Sequence, residues 1–506
     1  MFSDKVYQLY KPFRNHLHPV AVENAFFVIW AYINFFQFDS PFPHNIEVHE
    51  EVHKTKSLPN RPLHEWELSL LAREIVINGQ PSFSLASKNF QNWRYFSNAI
   101  NKLKDFENNA WPIFGGISNI HKEIRRISHR QFPWQTRINT SFILRYYKIY
   151  NNLKIKDIVE AKIGMSVQQW YTVGTALLGA TLSNPKVNVD PKIAISNITK
   201  AEFDKFLNYT SISLEALQDL IKKEIYFDDR FVYSFNPLEY YPFVKIGQYY
   251  YCPIPTFLAW RITSGIYFDL INDKNFGHPF GLAYQDYIEE LSQVILDKNL
   301  FSLYPEQKYT VNGKSEDSID LIISQDNAAL FVEAKAKRLT AKSKSELISD
   351  ANYDKDLDTL ANDVVQAYAT IDDYLKGRYN HFPTKHELEI YPIIVTLEEW
   401  YLLGEDVKTL KEKVKAKLVE KGIPVEYLNI MPFTVCSTAN YEILVQILNK
   451  HTIKEIMGLW FKPERDGHNF GQFIGTQYKG EYKHMDDYFP GEFEKIYPEG
   501  IIPESA

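Results

Sequence analysis

The densest chemistry in the sequence lies between Ser318 and Lys337. Asp320 stands in the apolar run 318–324, and Glu333, Lys335 and Lys337 stand in the run 329–337. Both runs have the apolar content of strands, and Gln325–Ala328 separates them. Side chains on a strand alternate between its faces. Glu333, Lys335 and Lys337 therefore share one face of the second run, and Val332, Ala334 and Ala336 share the other. In the first run Asp320 stands apart from Ile319, Leu321 and Ile323, which fit a core. Asp326 and Asn327 tolerate the left-handed backbone of tight turns. A loop centred on them pairs Gln325 with Ala328, and counting back puts Asp320 opposite Glu333. Any symmetric longer loop with that centre gives the same pairing.

Cross-strand partners have Cβ atoms ~4.5–5.5 Å apart. Two carboxylates at that separation repel, and one stays protonated unless a cation lies between them. A hard divalent ion resolves the conflict. Magnesium takes oxygen ligands and keeps several waters, so two carboxylates and a phosphate oxygen suit it. Such an ion polarises a phosphoryl oxygen and lowers the pKa of bound water. Lys335, on the same face, could orient that water or neutralise charge on the phosphate. These are the parts of phosphodiester hydrolysis.

Ile319-Asp320, a short hairpin and then Glu333-Ala334-Lys335 resemble the PD-(D/E)xK, or restriction-endonuclease-like, nuclease superfamily over residues 276–450. The resemblance implies a mixed central sheet flanked by helices. It implies Asp320 and Glu333 as Mg²⁺ or Mn²⁺ ligands, with the Ala334 backbone carbonyl as a further one, and Lys335 as catalytic. It implies nucleic acid, DNA above all, as the partner, and a setting such as restriction or anti-phage defence. Ile319 replaces the motif's proline. The preceding helix offers Gln285 where many members carry glutamate; Glu289, one turn on, shares that face and could substitute. The residue that completes the site stays open. Gln366, on the polar side of a later helix, is a further candidate. A catalytically silent nucleic-acid binder on the same fold is the main alternative.

Other motifs carry less. His49-Glu-Glu-Val-His53 matches HExxH, which holds zinc only on a helix with both histidines on one face. Pro41, Pro43 and Pro59 flank it and it has almost no apolar face, so a charged loop or edge strand fits better than a zinc hydrolase. The stretch 153–178 has the outline of a helix-turn-helix, but Trp170, Tyr171 and Val173 suit core packing better than base reading. Arg125, Arg126 and Arg130 stand in a basic, aromatic stretch suited to backbone contact. Lys337 and Arg338 open a second basic cluster beside the candidate centre.

The elements that must position these groups read as follows. Residues 1–275 are a mostly α-helical region, with helices at Leu63–Ile77 and Leu214–Ile225 and a hairpin of Phe243–Ile246 with Tyr249–Cys252. This region is expected to recognise a target, mediate homo-oligomerisation or restrain the nuclease. Residues 276–450 turn to α/β grammar. Helices are expected at Leu282–Leu296, Asp354–Leu375, Asp406–Lys421 and Tyr441–Leu448, and strands at Gln307–Val311, Ile390–Leu397 and within Val425–Val435. Residues 451–506 are an extension of unassigned structure.

The chain has 506 residues, 45% hydrophobic, and a net charge of −7, so it is a globular multidomain protein and no polycation. Two cysteines, Cys252 and Cys436, build no disulfide framework and fit a reducing cytoplasm. Ala25–Phe36 is too short to span a bilayer and reads as a buried helix; no membrane association is expected. Helicase, ATPase and methyltransferase motifs are not visible, so such activities would belong to a separate partner protein.

Overall fold

The structure, a computed structural model, describes residues 3–116, 120–188, 198–347, 350–385 and 387–496. The last ten residues of the expected C-terminal extension lie outside them. Helices dominate the first half. Val22–Phe38 is buried on nearly every side, as its predominantly apolar sequence requires. Leu214–Glu224 begins where the Ser213 hydroxyl accepts the Ala216 N–H at 3.2 Å, the N-cap expected from sequence. Two short strands, β1 (Lys186–Val187) and β2 (Ser211–Ser213), flank the expected hairpin β3 (Phe243–Ile246) and β4 (Tyr249–Tyr251) in the order β1-β4-β3-β2.

The second half is built on a mixed sheet. Its strands are β5 (Ser302–Pro305), β8 (Leu321–Gln325), β9 (Ala328–Lys335), β10 (Glu389–Thr396) and β11 (Thr434–Ser437), in the order β11-β10-β9-β8-β5. A separate two-stranded ribbon, β6 (Lys308–Val311) and β7 (Lys314–Asp317), is inserted between β5 and β8. β10 runs parallel to both neighbours, whereas β8 is antiparallel to β9 and to β5. The helices Gly277–Ile295, Ala351–Leu375, Glu405–Lys421 and Thr438–Ile447 cover the sheet and match the expected periodicities. Gly422, at φ +66°, ends the third of these.

The expected strand at Gln307–Val311 is present, and one other expectation is corrected. That strand is β6, and it belongs to the two-stranded ribbon. Val425–Val435 is broken into a helical turn at Tyr427–Ile430 and then β11. Pro432 has no N–H to give a ladder, so the strand starts only after it. Apolar packing runs across residue 275. One apolar cluster joins Ile143, Tyr147 and Trp170 to Tyr284 and Tyr287, to Leu330 and Val332 of β9, and onward to Ile453 and Phe473. A second cluster joins residues of 6–134 to residues of 214–257. Arg145 also holds Glu442 through two buried bonds of 2.6 and 2.7 Å. The helix Thr140–Tyr150 thus finishes the expected nuclease region's core, and the boundaries at 275 and 450 cut through shared packing. The extension supplies helices, and the Trp460 indole N–H bonds Thr434 at the β11 edge at 3.0 Å.

Candidate active site

Asp326 takes φ +51°, the left-handed turn residue the hairpin needs. β8 and β9 then pair with Gln325 opposite Ala328 and Leu321 opposite Val332. One further step puts Asp320 across from Glu333, which is the register expected from sequence. Phe331 and Ala329 of β9, on the same side as Glu333, pack against Val364 and Tyr368 of the helix Ala351–Leu375. That helix therefore roofs the face that carries Glu333 and Lys335.

Glu333 forms the floor, with its side chain 2% exposed, and its Oε1 accepts from the Lys335 ammonium at 2.6 Å. Lys335 is partly open, and its Nζ also donates to Gln366 Oε1 at 3.3 Å. The Asp320 carboxylate is partly buried and accepts the Ala334 N–H at 2.6 Å, which pins it against β9. Beyond Lys335 the strand bends, and Lys337 donates to both oxygens of the buried Asp363 at 2.6 and 2.7 Å. Glu333 with Lys335 and Asp363 with Lys337 form two neighbouring ion pairs.

A third carboxylate was missed. β5 pairs with β8 with Pro305 opposite Leu321, so the next step puts Glu306 beside Asp320. The Glu306 N–H donates to the Asp320 carbonyl at 2.9 Å. Three carboxylates thus stand in one row across three strands. β5 has no alternation to announce it, and only its pairing with β8 reveals the neighbour. On the preceding helix, Gln285 Nε2 donates to Glu306 at 3.1 Å, and Glu289 accepts from Gln293 at 2.6 Å.

Electrostatics follow from this crowding. Burial, then the charge of Glu333, pushes the Asp320 carboxyl well above its ordinary value, against Lys335 and the Ala334 N–H. Burial also raises Glu333, with Lys335 opposing and Asp363 and Glu306 adding to the rise. Burial alone would lower the Lys335 ammonium, but Glu333, Asp320 and Asp363 raise it above its ordinary value. Among the described residues no three His, Cys, Asp or Glu side chains form a ready cage for a metal. Asp320 and Glu333 still fit a hard cation. They are an oxygen donor pair with mutual repulsion that an ion would relieve, and water or phosphate could fill the other positions.

The expected nucleic-acid contacts fare differently, because their charges are already spent inside the protein. Arg125, 4% exposed, bonds Asp350 at 3.0 Å and lies 3.6 Å over the Tyr353 ring. Arg126, 2% exposed, pairs with Glu123 at 2.9 Å. Arg130 makes two bonds of 2.9 Å to Glu107. Arg338, 4% exposed, pairs with Glu398 at 2.9 Å and donates to Tyr146 at 2.9 Å. Against the effect of burial, Arg338 and Lys344 hold the Glu398 carboxyl down at about 2. These cations tie elements of the protein together. Sequence shows their charge, but not the carboxylates that fold back onto them.

The remaining motifs are structural. The charged loop or edge strand expected at 49–53 is instead a short helix, Glu50–Lys54, which His49 caps by accepting the Glu51 N–H at 3.3 Å. The helices Lys156–Ile163 and Val167–Ser183 do form the helix-turn-helix outline, but Trp170, Tyr171 and Val173 are buried in the core. Comparison with protein-family models, with curated proteins and with solved structures yields no match, so function has to be read from the chemistry of this centre.

Proposed function

We propose that the chain is a metal-dependent nuclease of the PD-(D/E)xK type, hydrolysing phosphodiester bonds in nucleic acid, with DNA as the expected substrate. One observation carries the reading: the β8–β9 register, continued one step, sets Asp320 across from Glu333, with Lys335 on the same face, at the end of the two strands. Magnesium or manganese held by the two carboxylates would supply the Lewis acid that polarises a phosphoryl oxygen and acidifies water. Asp320, locked by the Ala334 N–H, keeps one carboxylate oxygen oriented for such a cation. Lys335 is held as an ion-pair partner of Glu333, placed to orient the water or to face the phosphate. It is a donor that neutralises charge developing on the phosphate, with Gln366 steadying it at 3.3 Å. Asp363 keeps Lys337 from competing for Glu333.

A setting in cytoplasmic defence such as restriction or anti-phage immunity follows from the resemblance alone. Among the described residues no helix is long and apolar enough to cross a membrane. The test is incubation of the purified protein with supercoiled, linear and single-stranded DNA and with RNA, with Mg²⁺, Mn²⁺ or chelator. Cleavage should need the metal. Asp320→Ala and Glu333→Ala should abolish it, and Lys335→Ala should slow it by ~10²-fold or more while sparing metal binding. A folded Glu333→Ala protein that cuts at the wild-type rate would end the proposal.

A further inference from the structure

The insertion between the two row neighbours Glu306 and Asp320 is the β6–β7 ribbon. Its stem is closed by the Glu306 N–H on the Asp320 carbonyl at 2.9 Å and the Ser318 N–H on the Gln307 carbonyl at 3.0 Å. A polymer with one phosphate at Asp320 and Glu333 has to pass the root of this ribbon. Asn312 at φ +51° and Gly313 at φ +80° make a two-residue turn left-handed at both positions, which matches the natural twist of a hairpin. The ribbon is also braced. Tyr309 is 4% exposed, its hydroxyl donates to Asp373 at 2.7 Å, and its ring lies 5.0 Å from that of Tyr379.

Alternation turns Tyr309 and Val311 inward and leaves Lys308, Thr310, Ser315 and Asp317 on the outer face, all exposed. Lys308 and Lys314 are balanced by Glu316 and Asp317, so the arm has no surplus charge with which to clamp a phosphate backbone. Beside the Lys308–Asp317 ion pair at 3.8 Å, it presents the hydroxyls of Thr310 and Ser315 and the Asn312 amide, groups able to make base-edge contacts. Four residues per strand at ~3.4 Å reach about 13 Å, and a major groove ~12 Å wide admits a two-stranded ribbon. A single strand offers no groove.

We infer that the β6–β7 ribbon is a rigid arm that enters a groove of double-stranded nucleic acid beside the scissile phosphate. Its placement rests on the nuclease reading of the adjacent centre. The full chain should be compared with the charge-neutral variant Thr310→Val/Asn312→Gly/Ser315→Ala, whose glycine keeps the turn. Binding to randomised duplex and randomised single-stranded pools is measured by anisotropy in calcium over a range of salt. The variant should lose about tenfold or more on duplex, as loss of one or more base-edge contacts would give. Single-strand affinity and the salt slope should stay unchanged, because no phosphate-binding charge is removed. Tyr309→Phe, which leaves the outer face intact but releases Asp373, should weaken duplex binding selectively as well. Equal losses on both pools, no loss on duplex, or a wild-type protein that binds neither pool would overturn the inference. Duplex binding that depends on the arm in a protein that cuts nothing would retain the arm and remove the nuclease reading; cleavage with duplex binding indifferent to the arm would do the reverse.

Discussion

Asp320→Asn should make the metal-free protein more stable and the metal-loaded protein less stable than wild type. Asp320 and Glu333 are cross-strand neighbours. Where pH is high enough to ionise both, two negative charges ~5 Å apart at an effective dielectric of about 20 repel by roughly 3 kcal/mol. Asparagine removes that repulsion. It keeps an acceptor for the Ala334 N–H but loses the charge assistance of that 2.6 Å bond, about 1 kcal/mol, and a smaller attraction to Lys335. The balance is a gain of ~1–2 kcal/mol without metal, a rise of about 2 °C in Tm for a chain of this size. With a cation at a hundred times its Kd, wild type gains ~2.7 kcal/mol that the variant forgoes.

The pH dependence has a definite sign. Burial and neighbouring charge hold both carboxyls above their ordinary values, so their contribution is fully present below the ordinary carboxylate range. It is lost as pH rises through the raised values. Metal-free wild type should therefore lose stability over that rise, and Asp320→Asn should lose less. Thermal unfolding at pH 5 and pH 8, with chelator or with Mn²⁺, measures all four states. If Asp320→Asn lowers the metal-free Tm at pH 8 and keeps the Mn²⁺-induced shift, the reasoning about this carboxylate pair is wrong.

Three other outcomes are expected. Arg145→Ala strands the buried Glu442 and should cost ~3–5 kcal/mol in denaturant unfolding, and a fragment of residues 276–450 should fail to fold cooperatively; a stable, monomeric fragment would contradict the shared core. Arg130→Gln should lower Tm, because it leaves Glu107 without its two bonds, yet should not alter the salt slope of nucleic-acid binding measured by titration at several ionic strengths. His49→Ala should leave bound metal unchanged by elemental analysis and nuclease activity unchanged by gel assay, since His49 only caps a short helix.

What sequence alone determined was local. The β8–β9 hairpin was legible because a turn at Asp326 and strict alternation leave one register, and that register already sets Asp320 across from Glu333. The helix Ala351–Leu375 and the cap at Gly422 were legible for the same reason: an apolar stripe and a left-handed glycine act within a few residues. The Asn312-Gly313 turn was present in the sequence too, though the ribbon it closes was read only as a single strand. Tertiary structure decided which distant groups meet. Glu306 reaches Asp320 only through the β5–β8 pairing, and Asp363 reaches Lys337 only because a helix packs over the sheet. The arginines of the helix Ile120–Gln135 look like a cationic surface until Asp350, Glu123 and Glu107 are placed beside them. Periodicity tells which face of an element is apolar, but not which partner buries it; so the helix Thr140–Tyr150, far upstream, could complete the core beneath the candidate site without any mark in its own sequence.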